Sequence, residues 1–314
     1  MNKSSKIFVA GHRGMVGSAI VRSLKSKGYN NILTASREQL DLLNQQAVFD
    51  FLAYNKPDYI FIAAAKVGGI YANNTFRADF IYQNLAIENN LIHGAHMART
   101  QKLMFLGSSC IYPRDCPQPI KESYLLTGPL EPTNEMYAIA KIAGIKLCES
   151  YNLQYGRQYV SVMPTNLYGL NDNYDLNNSH VLPALIHKSH LAKLANASTY
   201  TVWGTGNPRR EFLFADDLAD ACTFLMERDY SGPLLNIGTG VDLSIRELAE
   251  TVMKVIGFDG ELVFDSSKPD GTPRKLLDIS ALHATGWKAE TRLVDGIALS
   301  YKDFQRRYAS HLEK

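Results

Sequence analysis

Short apolar runs alternate with longer amphipathic stretches along the first half of the chain. In the amphipathic stretches, apolar residues recur at helical spacing, as Val16, Ile20 and Leu24 do. These predicted helices occupy residues 15–27, 45–54, 80–98 and 133–155. The apolar runs, which predict buried strands, occupy residues 6–10, 32–34, 59–65, 102–106 and 159–163. The alternation predicts an α/β fold with a Rossmann-type, doubly wound parallel sheet.

The pattern becomes less regular after Pro164. Residues 168–179 are rich in Asn, Asp and Gly and predict a long loop, which in a compact domain is usually functional. Further short strands are predicted at 201–203, 234–237 and 262–264, and helices at 217–228 and 244–256. We expect residues 1–165 to form the Rossmann-type domain, with about 205–240 returning to it. Residues 166–314 would mainly form a smaller C-terminal α/β domain.

One helix boundary carries a specific signal. Thr133 is predicted to cap the fourth helix, since its hydroxyl can accept a hydrogen bond from the first free amides. Glu135 then lies in the first turn, where a negative charge is favourable.

Composition and charge narrow the possible functions. The chain has 314 residues, of which 46% are apolar and 20% charged, as in ordinary globular proteins. Its net charge is only +2, and no run of Lys and Arg is longer than a pair such as Arg209-Arg210, so we expect no nucleic-acid binding. The longest apolar run, residues 59–65, is far shorter than a membrane-spanning helix.

The cysteines and the N-terminus favour a reducing compartment. The four cysteines, Cys110, Cys116, Cys148 and Cys222, have neither CxxC nor zinc-site spacing, so we expect no metal site. So few cysteines in a chain of this length are typical of a cytoplasmic protein. The first apolar run is broken at Gly11, too early for a signal peptide. We therefore expect a cytoplasmic protein without a membrane segment.

A glycine-rich motif joins the first strand to the first helix. It reads Gly11, His12, Arg13, Gly14, Met15, Val16 and Gly17. In this context the glycines allow a tight turn, and the helix N-terminus can bind the pyrophosphate of a dinucleotide. A purely structural turn is the alternative.

The residues after the second predicted strand bear on cofactor choice. NAD-binding sites usually have an acidic residue here, which binds the ribose 2′-hydroxyl. This chain has Arg37, and Arg13 lies in the glycine loop. Two guanidinium groups can clamp a 2′-phosphate, which favours NADP(H). The alternative is that both are ordinary surface arginines, because Glu38 and Asp41 are close in sequence.

A tyrosine and a lysine are spaced for proton transfer. Tyr137 and Lys141 share one face of the fourth predicted helix. An ammonium group beside a phenol is expected to lower the pKa of the phenol, which can then exchange a proton with a carbonyl or alcohol. Ser108 follows the fourth strand, at the edge of the sheet where ligands bind, and could hydrogen-bond the same carbonyl oxygen.

With these motifs, the chain resembles the extended short-chain dehydrogenase/reductase family, and within it the epimerase-reductases that make GDP-L-fucose. The resemblance extends from residue 6 to about residue 305. Leu170 and Lys188 depart from the proline and arginine expected there, and Lys188 lacks the two-pronged geometry of arginine. The matching strings are GHRGMVGSAI (11–20), AAAKVGGI (63–70), LGSSCIYP (106–113), EPTNEMYAIAKIAGIKLCESY (131–151), MPTNLYG (163–169), residues 178–182, REF (210–212) and KPDGTPRKLLD (268–278).

The resemblance implies a reaction. The substrate would be GDP-4-keto-6-deoxy-D-mannose, epimerised at C3 and C5 and then reduced by NADPH at the C4 ketone. Ser108, Tyr137 and Lys141 would serve the reduction, and Cys110 and His180 would exchange protons at the epimerised carbons. From residue type alone, a cysteine such as Cys110 is more often a buried packing residue, and His180 could be a surface histidine.

The resemblance also implies binding residues and partners. The GDP-sugar would be bound in the C-terminal domain by Lys188, Trp203, Arg210 and Asp270. Helices 80–98 and 133–155 would form a homodimer through a four-helix bundle. The NADP-binding residues would be the whole 11–17 motif with Arg37, Asp41, Leu42, Leu106, Gly107, Ser108, Ser109, Lys141, Pro164, Thr165, Asn166, Leu167 and His180.

Two other functions remain possible on this fold. A nucleotide-sugar 4-epimerase or 4,6-dehydratase reuses a tightly bound NAD and needs no second acid-base pair, so Cys110 and His180 argue against it. A non-catalytic NADP-binding regulator needs no proton relay, so the intact Ser108, Tyr137 and Lys141 argue against that.

Overall fold

The computed structural model describes residues 1–176, 178–228, 230–232, 234–268 and 270–308. The strands are β1 (Ile7–Ala10), β2 (Ile32–Leu33), β3 (Tyr59–Ile62), β4 (Lys102–Leu106), β5 (Gln158–Pro164), β6 (Asn166–Tyr168), β7 (Thr199–Trp203), β8 (Arg209–Phe214), β9 (Leu235–Ile237), β10 (Asp242–Ser244), β11 (Glu261–Asp265) and β12 (Arg274–Lys275). The helices are α1 (Met15–Ser26), α2 (Gln45–Asn55), α3 (Ile70–Thr75), α4 (Arg77–Met97), α5 (Glu135–Tyr155), α6 (Val181–Leu194), α7 (Ala215–Glu227), α8 (Ile245–Ile256), α9 (Ser280–Ala284) and α10 (Leu293–Arg307).

The large sheet confirms the predicted fold class. Its strands are parallel and lie in the order β2-β1-β3-β4-β5-β9. From β1 the chain continues to β2 on one side of β1, and it then returns to form β3 on the other side of β1. The crevice outside the carboxyl ends of β1 and β3 is therefore the topological switch point, where such sheets bind their ligands.

A second group of elements lies in the later part of the chain. Strand β8 pairs in parallel with β6 and β12 and antiparallel with β10, while β7 pairs in parallel with β11. Helices α6, α8 and α10 cover an apolar core of their own, which includes Leu185, Leu248 and Phe304.

Two elements from the later part of the chain pack with the large sheet. Strand β9 pairs with β5, and α7 packs against α1, where Arg22 forms an ion pair with Asp216 (2.7 Å). The division into residues 1–165 and 166–314 stays a prediction.

Some local predictions differ from the structure. The strand predicted at 59–65 ends at Ile62, where its pairing with β1 ends with a hydrogen bond from the Ala63 amide to the Ala10 carbonyl (3.0 Å). Thr133 does not cap α5, so that prediction is wrong. Asn134 precedes the helix, and the Thr133 hydroxyl donates to the Glu131 carboxylate instead (3.2 Å).

Candidate active site

The glycine loop is closely packed against its neighbours. Gly11 has φ +85°, and a Cβ there would lie 2.7 Å from the Ala64 amide nitrogen. A Cβ on Gly17 would lie 2.1 Å from the Gly11 carbonyl oxygen. Neither position can accept a larger residue without moving the backbone, which is the expected property of a turn built for close approach to a ligand.

Helix α1 begins without a capping side chain. Gly14 is its N-cap residue, and there is no acidic residue in the first turn. The first amides of the helix therefore point outward without a side-chain acceptor, which is the arrangement that binds phosphate groups. Met15 and Val16 pack partly against the core, and burial together with the charge of Arg13 lowers the pKa of His12.

The two arginines implicated in cofactor choice lie on the surface. Arg37 is exposed. Arg13 is also exposed and lies 3.6 Å from Glu38, in a pair open to solvent on both sides. Such a pair is weak, so it leaves the Arg13 guanidinium able to bind another anion. Asp41 is exposed, and Leu42 packs partly against the core of the large sheet.

Ser108, Cys110 and Tyr137 come together at the end of β4. Ser108 begins a turn of 3-10 helix, Ser109–Ile111, and accepts a hydrogen bond from the Cys110 amide (3.4 Å). The Ser108 hydroxyl acts to lower the pKa of both the Cys110 thiol and the Tyr137 phenol, which indicates that the three side chains lie close together. Tyr137 reaches this site from the first turn of α5.

The pKa of Tyr137 is higher than the sequence suggested. Burial raises it well above the usual value, and the charges of Cys110 and Glu88 act in the same direction. The prediction of a lowered pKa is therefore wrong. The physical reason is that a buried phenolate loses its hydration, and the ammonium of Lys141 is paired with another group.

That other group is Glu88, on α4. Its carboxylate lies 2.9 Å from the Lys141 ammonium, and both side chains are almost fully buried, at 1% and 2% exposure. The ammonium also lies 4.6 Å from the ring centre of Phe105 and 5.9 Å from that of Tyr137. Sequence analysis did not identify Glu88, because it is distant in sequence from every motif.

The structure places Lys275 near both Cys110 and His180. Cys110 and Lys275 line the same cavity of about 60 Å³. Burial raises the pKa of the Cys110 thiol, while the charge of Lys275 acts to lower it. His180 is the N-cap residue of α6, and its side chain makes no capping hydrogen bond. Although the residue is exposed, desolvation together with the Lys275 charge lowers the pKa of its imidazole. Lys275 lies in a matching string, but spacing gave no reason to single it out.

The segment after β5 is tied to β8. Thr165 donates from its hydroxyl to the Glu211 carbonyl (3.3 Å), and the Asn166 side chain donates to the same oxygen (2.8 Å). The buried Glu211 carboxylate accepts from the amides of Gly240 (2.7 Å) and Leu277 (3.0 Å). Glu211 therefore links this segment to the strand that carries Arg210.

The remaining predicted cofactor residues lie at the carboxyl ends of β4 and β5. Leu106 and Pro164 are buried, and Leu167 is half-buried. A Cβ on Gly107 would lie 2.1 Å from the Met163 side chain, so no larger residue fits there unless that side chain moves. Ser109 is also buried, in the turn that follows Ser108.

Four residues predicted to bind the nucleotide lie in the second group of elements. Trp203 is 64% exposed, and the Lys188 ammonium lies 4.7 Å from its ring centre. Burial lowers the pKa of Arg210, whereas the charge of Asp270 raises it. Asp270 accepts hydrogen bonds from the amide (2.9 Å) and the hydroxyl (2.7 Å) of Thr205. The Lys268 ammonium, which sequence analysis did not single out, lies 5.6 Å from the Trp203 ring centre.

The described residues bear on two other functions. They contain no group of three or more His, Cys, Asp or Glu that could hold a metal ion. No helix among them is long and apolar enough to cross a membrane.

Comparison with known proteins gives consistent results. Residues 7–238 match the NAD dependent epimerase/dehydratase family. The chain is 57% identical to GDP-L-fucose synthase of Escherichia coli, covering 95% of this chain and 96% of that one. It is 58% identical to GDP-L-fucose synthase 1 of Arabidopsis thaliana, covering 96% and 93%.

A solved structure shows the same architecture. The GDP-mannoheptose C4 reductase of Campylobacter jejuni, with NADP bound, superimposes with a TM-score of 0.89 at 41% identity, covering 97% of this chain and 99% of that one. The family match, the identities and the geometry agree. The chain belongs to the NAD dependent epimerase/dehydratase family and, within it, to the GDP-L-fucose synthases.

Proposed function

We propose that the chain converts GDP-4-keto-6-deoxy-D-mannose to GDP-L-fucose, by epimerisation at C3 and C5 followed by NADPH-dependent reduction of the C4 ketone. The observation that carries this proposal is the proximity of two acid-base systems. Ser108, Tyr137 and Lys141 are the groups that a carbonyl reductase needs. Cys110 lies beside Ser108, and the charge of Lys275 acts on both Cys110 and His180.

The first system acts on the C4 oxygen. Both epimerised carbons are α to the ketone, so loss of a proton from either places negative charge on that oxygen. Ser108 and Tyr137 stabilise this charge by hydrogen bonding. Because burial raises the pKa of Tyr137, the phenol carries its proton at neutral pH and can donate it to the same oxygen during reduction. The Lys141 ammonium then stabilises the phenolate that is left.

The second system acts at C3 and C5. Inversion of a carbon needs one group that removes a proton and another that returns it on the opposite face. The lowered pKa of His180 leaves a neutral imidazole that can accept a proton, and the raised pKa of Cys110 leaves a thiol that can donate one. The charge of Lys275 favours the thiolate, so Cys110 can take either role.

The glycine loop and its surroundings fit NADP(H). Gly17 packs closely against the Gly11 carbonyl, and the first amides of α1 are uncapped. Together they form a cradle for the pyrophosphate. Arg13 and Arg37 would bind the 2′-phosphate. When bound, NADPH supplies the hydride that the C4 carbon accepts. The other proposed contacts are His12, Asp41, Leu42, Leu106, Gly107, Ser109, Pro164, Thr165, Asn166, Leu167 and His180.

The GDP part of the substrate would lie against the second group of elements. Lys188 and Arg210 would bind the diphosphate, since both are cationic. Trp203 offers an exposed flat face, and Asp270 can accept hydrogen bonds from guanine.

We propose a homodimer formed by α4 and α5. These helices pack against each other, and their outer surfaces expose Tyr82, Met97 and Ile139. Exposed apolar side chains clustered on two neighbouring helices are typical of an interface. A second copy of the pair would complete a four-helix bundle.

We also propose that the protein works in the cytoplasm. All four cysteines are free thiols, and Cys110 needs its thiol for proton transfer. A reducing compartment preserves this state.

The proposed reaction can be tested directly. The purified protein is incubated with GDP-4-keto-6-deoxy-D-mannose and NADPH, and NADPH absorbance and product structure are followed. We expect GDP-L-fucose from the parent protein and a loss of about 10²-fold or more in turnover for Tyr137→Phe. Phenylalanine keeps the edge-on contact with Phe80, so NADPH binding should be retained. Normal turnover in the variant would exclude Tyr137 as the proton donor.

The same experiment separates a second function. The similar Campylobacter jejuni protein is a GDP-mannoheptose C4 reductase, so C4 reduction alone is the second function to be tested. A reduced sugar that keeps the original configuration at C3 and C5 would support that function and contradict the roles of Cys110 and His180.

A further inference from the structure

Glu88 is a buried charge outside every sequence motif of the site. It lies in the middle of α4 and is 1% exposed, and the carboxylate reaches across to α5, where it meets the Lys141 ammonium at 2.9 Å. Among the described residues, neither carboxylate oxygen has a hydrogen-bond partner of good geometry, so the contact with the ammonium is an ion pair. A buried carboxylate with a single partner is costly, so the pairing itself needs an explanation.

The neighbouring helix leaves space for this carboxylate. Gly144 lies on α5, two turns after Tyr137, and a Cβ there would lie 2.9 Å from a Glu88 carboxylate oxygen. The same Cβ would also lie 2.5 Å from the Phe105 ring. The absence of a side chain at Gly144 therefore makes room for both groups that surround the Lys141 ammonium.

We propose that Glu88 is a positioning residue, whose carboxylate holds Lys141 as an ammonium at a fixed place beside Tyr137. This rests on the proposed function, in which Lys141 stabilises the phenolate of Tyr137. The carboxylate supplies a negative charge that compensates the buried ammonium, and the 2.9 Å contact fixes its position.

Other titratable groups face the same pair. Tyr137 and Cys148 both lie on α5, and the charge of Glu88 raises the pKa of each. Burial raises the pKa of Glu88 itself, and Lys141 acts against that shift. Of the groups around the Glu88 carboxylate, the Lys141 ammonium is the one in direct contact with it, at 2.9 Å.

The test uses Glu88→Gln, which keeps the shape and removes the charge. Without the carboxylate, the buried ammonium gives up its proton more readily, because burial disfavours the charged form. We expect the basic limb of the pH profile of kcat/KM for NADPH-dependent reduction to move to lower pH by about one unit or more. Activity at the acidic end should approach that of the parent. A merely structural role would lower activity equally at all pH values.

A matched control makes the same change in an exposed pair. Glu149→Gln removes a carboxylate from α5 that lies 2.7 Å from Lys146, with both side chains open to solvent. This variant should keep the parent pH profile. If Glu88→Gln also keeps it, the proposal is overturned, provided that the parent turns over the substrate. If the parent shows no turnover, the proposed function itself has failed.

A second measurement does not depend on activity or on whether Glu88→Gln folds well. Lys141→Met leaves the carboxylate buried without a partner, so adding Glu88→Gln to it should raise the denaturation midpoint. In the parent background the same substitution should lower the midpoint. A double variant less stable than Lys141→Met would show that Glu88 does not act through Lys141, and would overturn the proposal.

Discussion

The thiol of Cys110 is influenced by three neighbouring groups, since burial raises its pKa while Lys275, Ser108 and Lys141 act to lower it. This environment suits a group that gives up and takes back a proton within one catalytic cycle. A serine hydroxyl at the same place holds its proton far more tightly than a thiol does.

We therefore expect Cys110→Ser to stop epimerisation but not hydride transfer. Ser108 and Tyr137 still bind the C4 oxygen, so flux should go to a reduced, unepimerised sugar. In heavy water without NADPH, the parent should introduce deuterium at C3 and C5, and the variant should not. His180→Asn should also lose inversion, with exchange kept at one face if Cys110 is the base. Deuterium entering both positions at the parent rate in Cys110→Ser would show that another residue is the base.

Lys275 gives a pH prediction whose sign follows from its charge. It acts to lower the pKa of both Cys110 and His180. In Lys275→Met both groups should keep their protons to higher pH, so the pH profile of deuterium exchange should move to higher pH. Lys268→Met removes a lysine from the same segment and should affect substrate KM at most. An unmoved profile in Lys275→Met would contradict the proposed role of Lys275.

At the scale of elements, the turn between β1 and α1 combines two requirements. The chain must approach the end of β3 closely, and the first amides of α1 must stay free for an anion. Gly11 and Gly17 meet the first requirement, because a Cβ on either would overlap backbone atoms. Gly14 meets the second as an N-cap residue without a side chain.

The turn provides a matched pair of variants. Gly17→Ala should weaken NADPH binding and cost about 1–3 kcal/mol in unfolding free energy, because its Cβ would lie 2.1 Å from the Gly11 carbonyl oxygen. Gly14→Ala should be tolerated far better, since its Cβ would meet that oxygen at 3.5 Å. Cofactor titration and thermal unfolding check both. Equal losses in the two variants would mean that close packing is not the reason for the glycine at 17.

We propose that the segment after β2 determines which cofactor is preferred. Arg37 is exposed there, in the place where an acidic residue would select NADH. Arg37→Ala should lower kcat/KM for NADPH by about tenfold and leave NADH use nearly unchanged, because only NADPH carries the 2′-phosphate. Lys25→Ala removes a positive charge from the opposite end of α1 and should change neither. Equal losses for both cofactors in Arg37→Ala would contradict the phosphate clamp.

At the scale of the whole molecule, α4 has two distinct sides. On its inner side Glu88 forms an ion pair with Lys141, and on its outer side Tyr82 and Met97 are exposed. If a second copy covers the outer side, association and the position of the catalytic lysine depend on the same helix.

The dimer can be tested by placing a charge on the outer side. Tyr82→Glu should shift the protein from dimer to monomer in sedimentation, because an unpaired carboxylate would be buried in the bundle. Leu126→Glu changes an apolar side chain of similar exposure in a loop outside α4 and α5, and should leave the assembly unchanged. A parent protein that sediments as a monomer would contradict the proposed bundle.

The local sequence was sufficient to identify site residues that lie close to one another along the chain. The glycine loop, the two arginines near it and the spacing of Tyr137 and Lys141 were all identified from short segments. The parallel sheet was also predictable, because buried strands and amphipathic helices leave strong periodic patterns. Strand β8 was not predicted, since it begins with Arg209 and Arg210 instead of apolar residues, and Arg209 forms an ion pair with Asp242.

Only the tertiary structure decided which charges act on the catalytic groups. Glu88 lies 53 positions before Lys141 in the chain and Lys275 lies 165 positions after Cys110, yet each pair shares one buried site. Electrostatic effects depend on distance in space and on burial, neither of which is encoded in spacing along the chain. For the same reason the pKa of Tyr137 is raised, although its nearest helical neighbour on that face is a lysine.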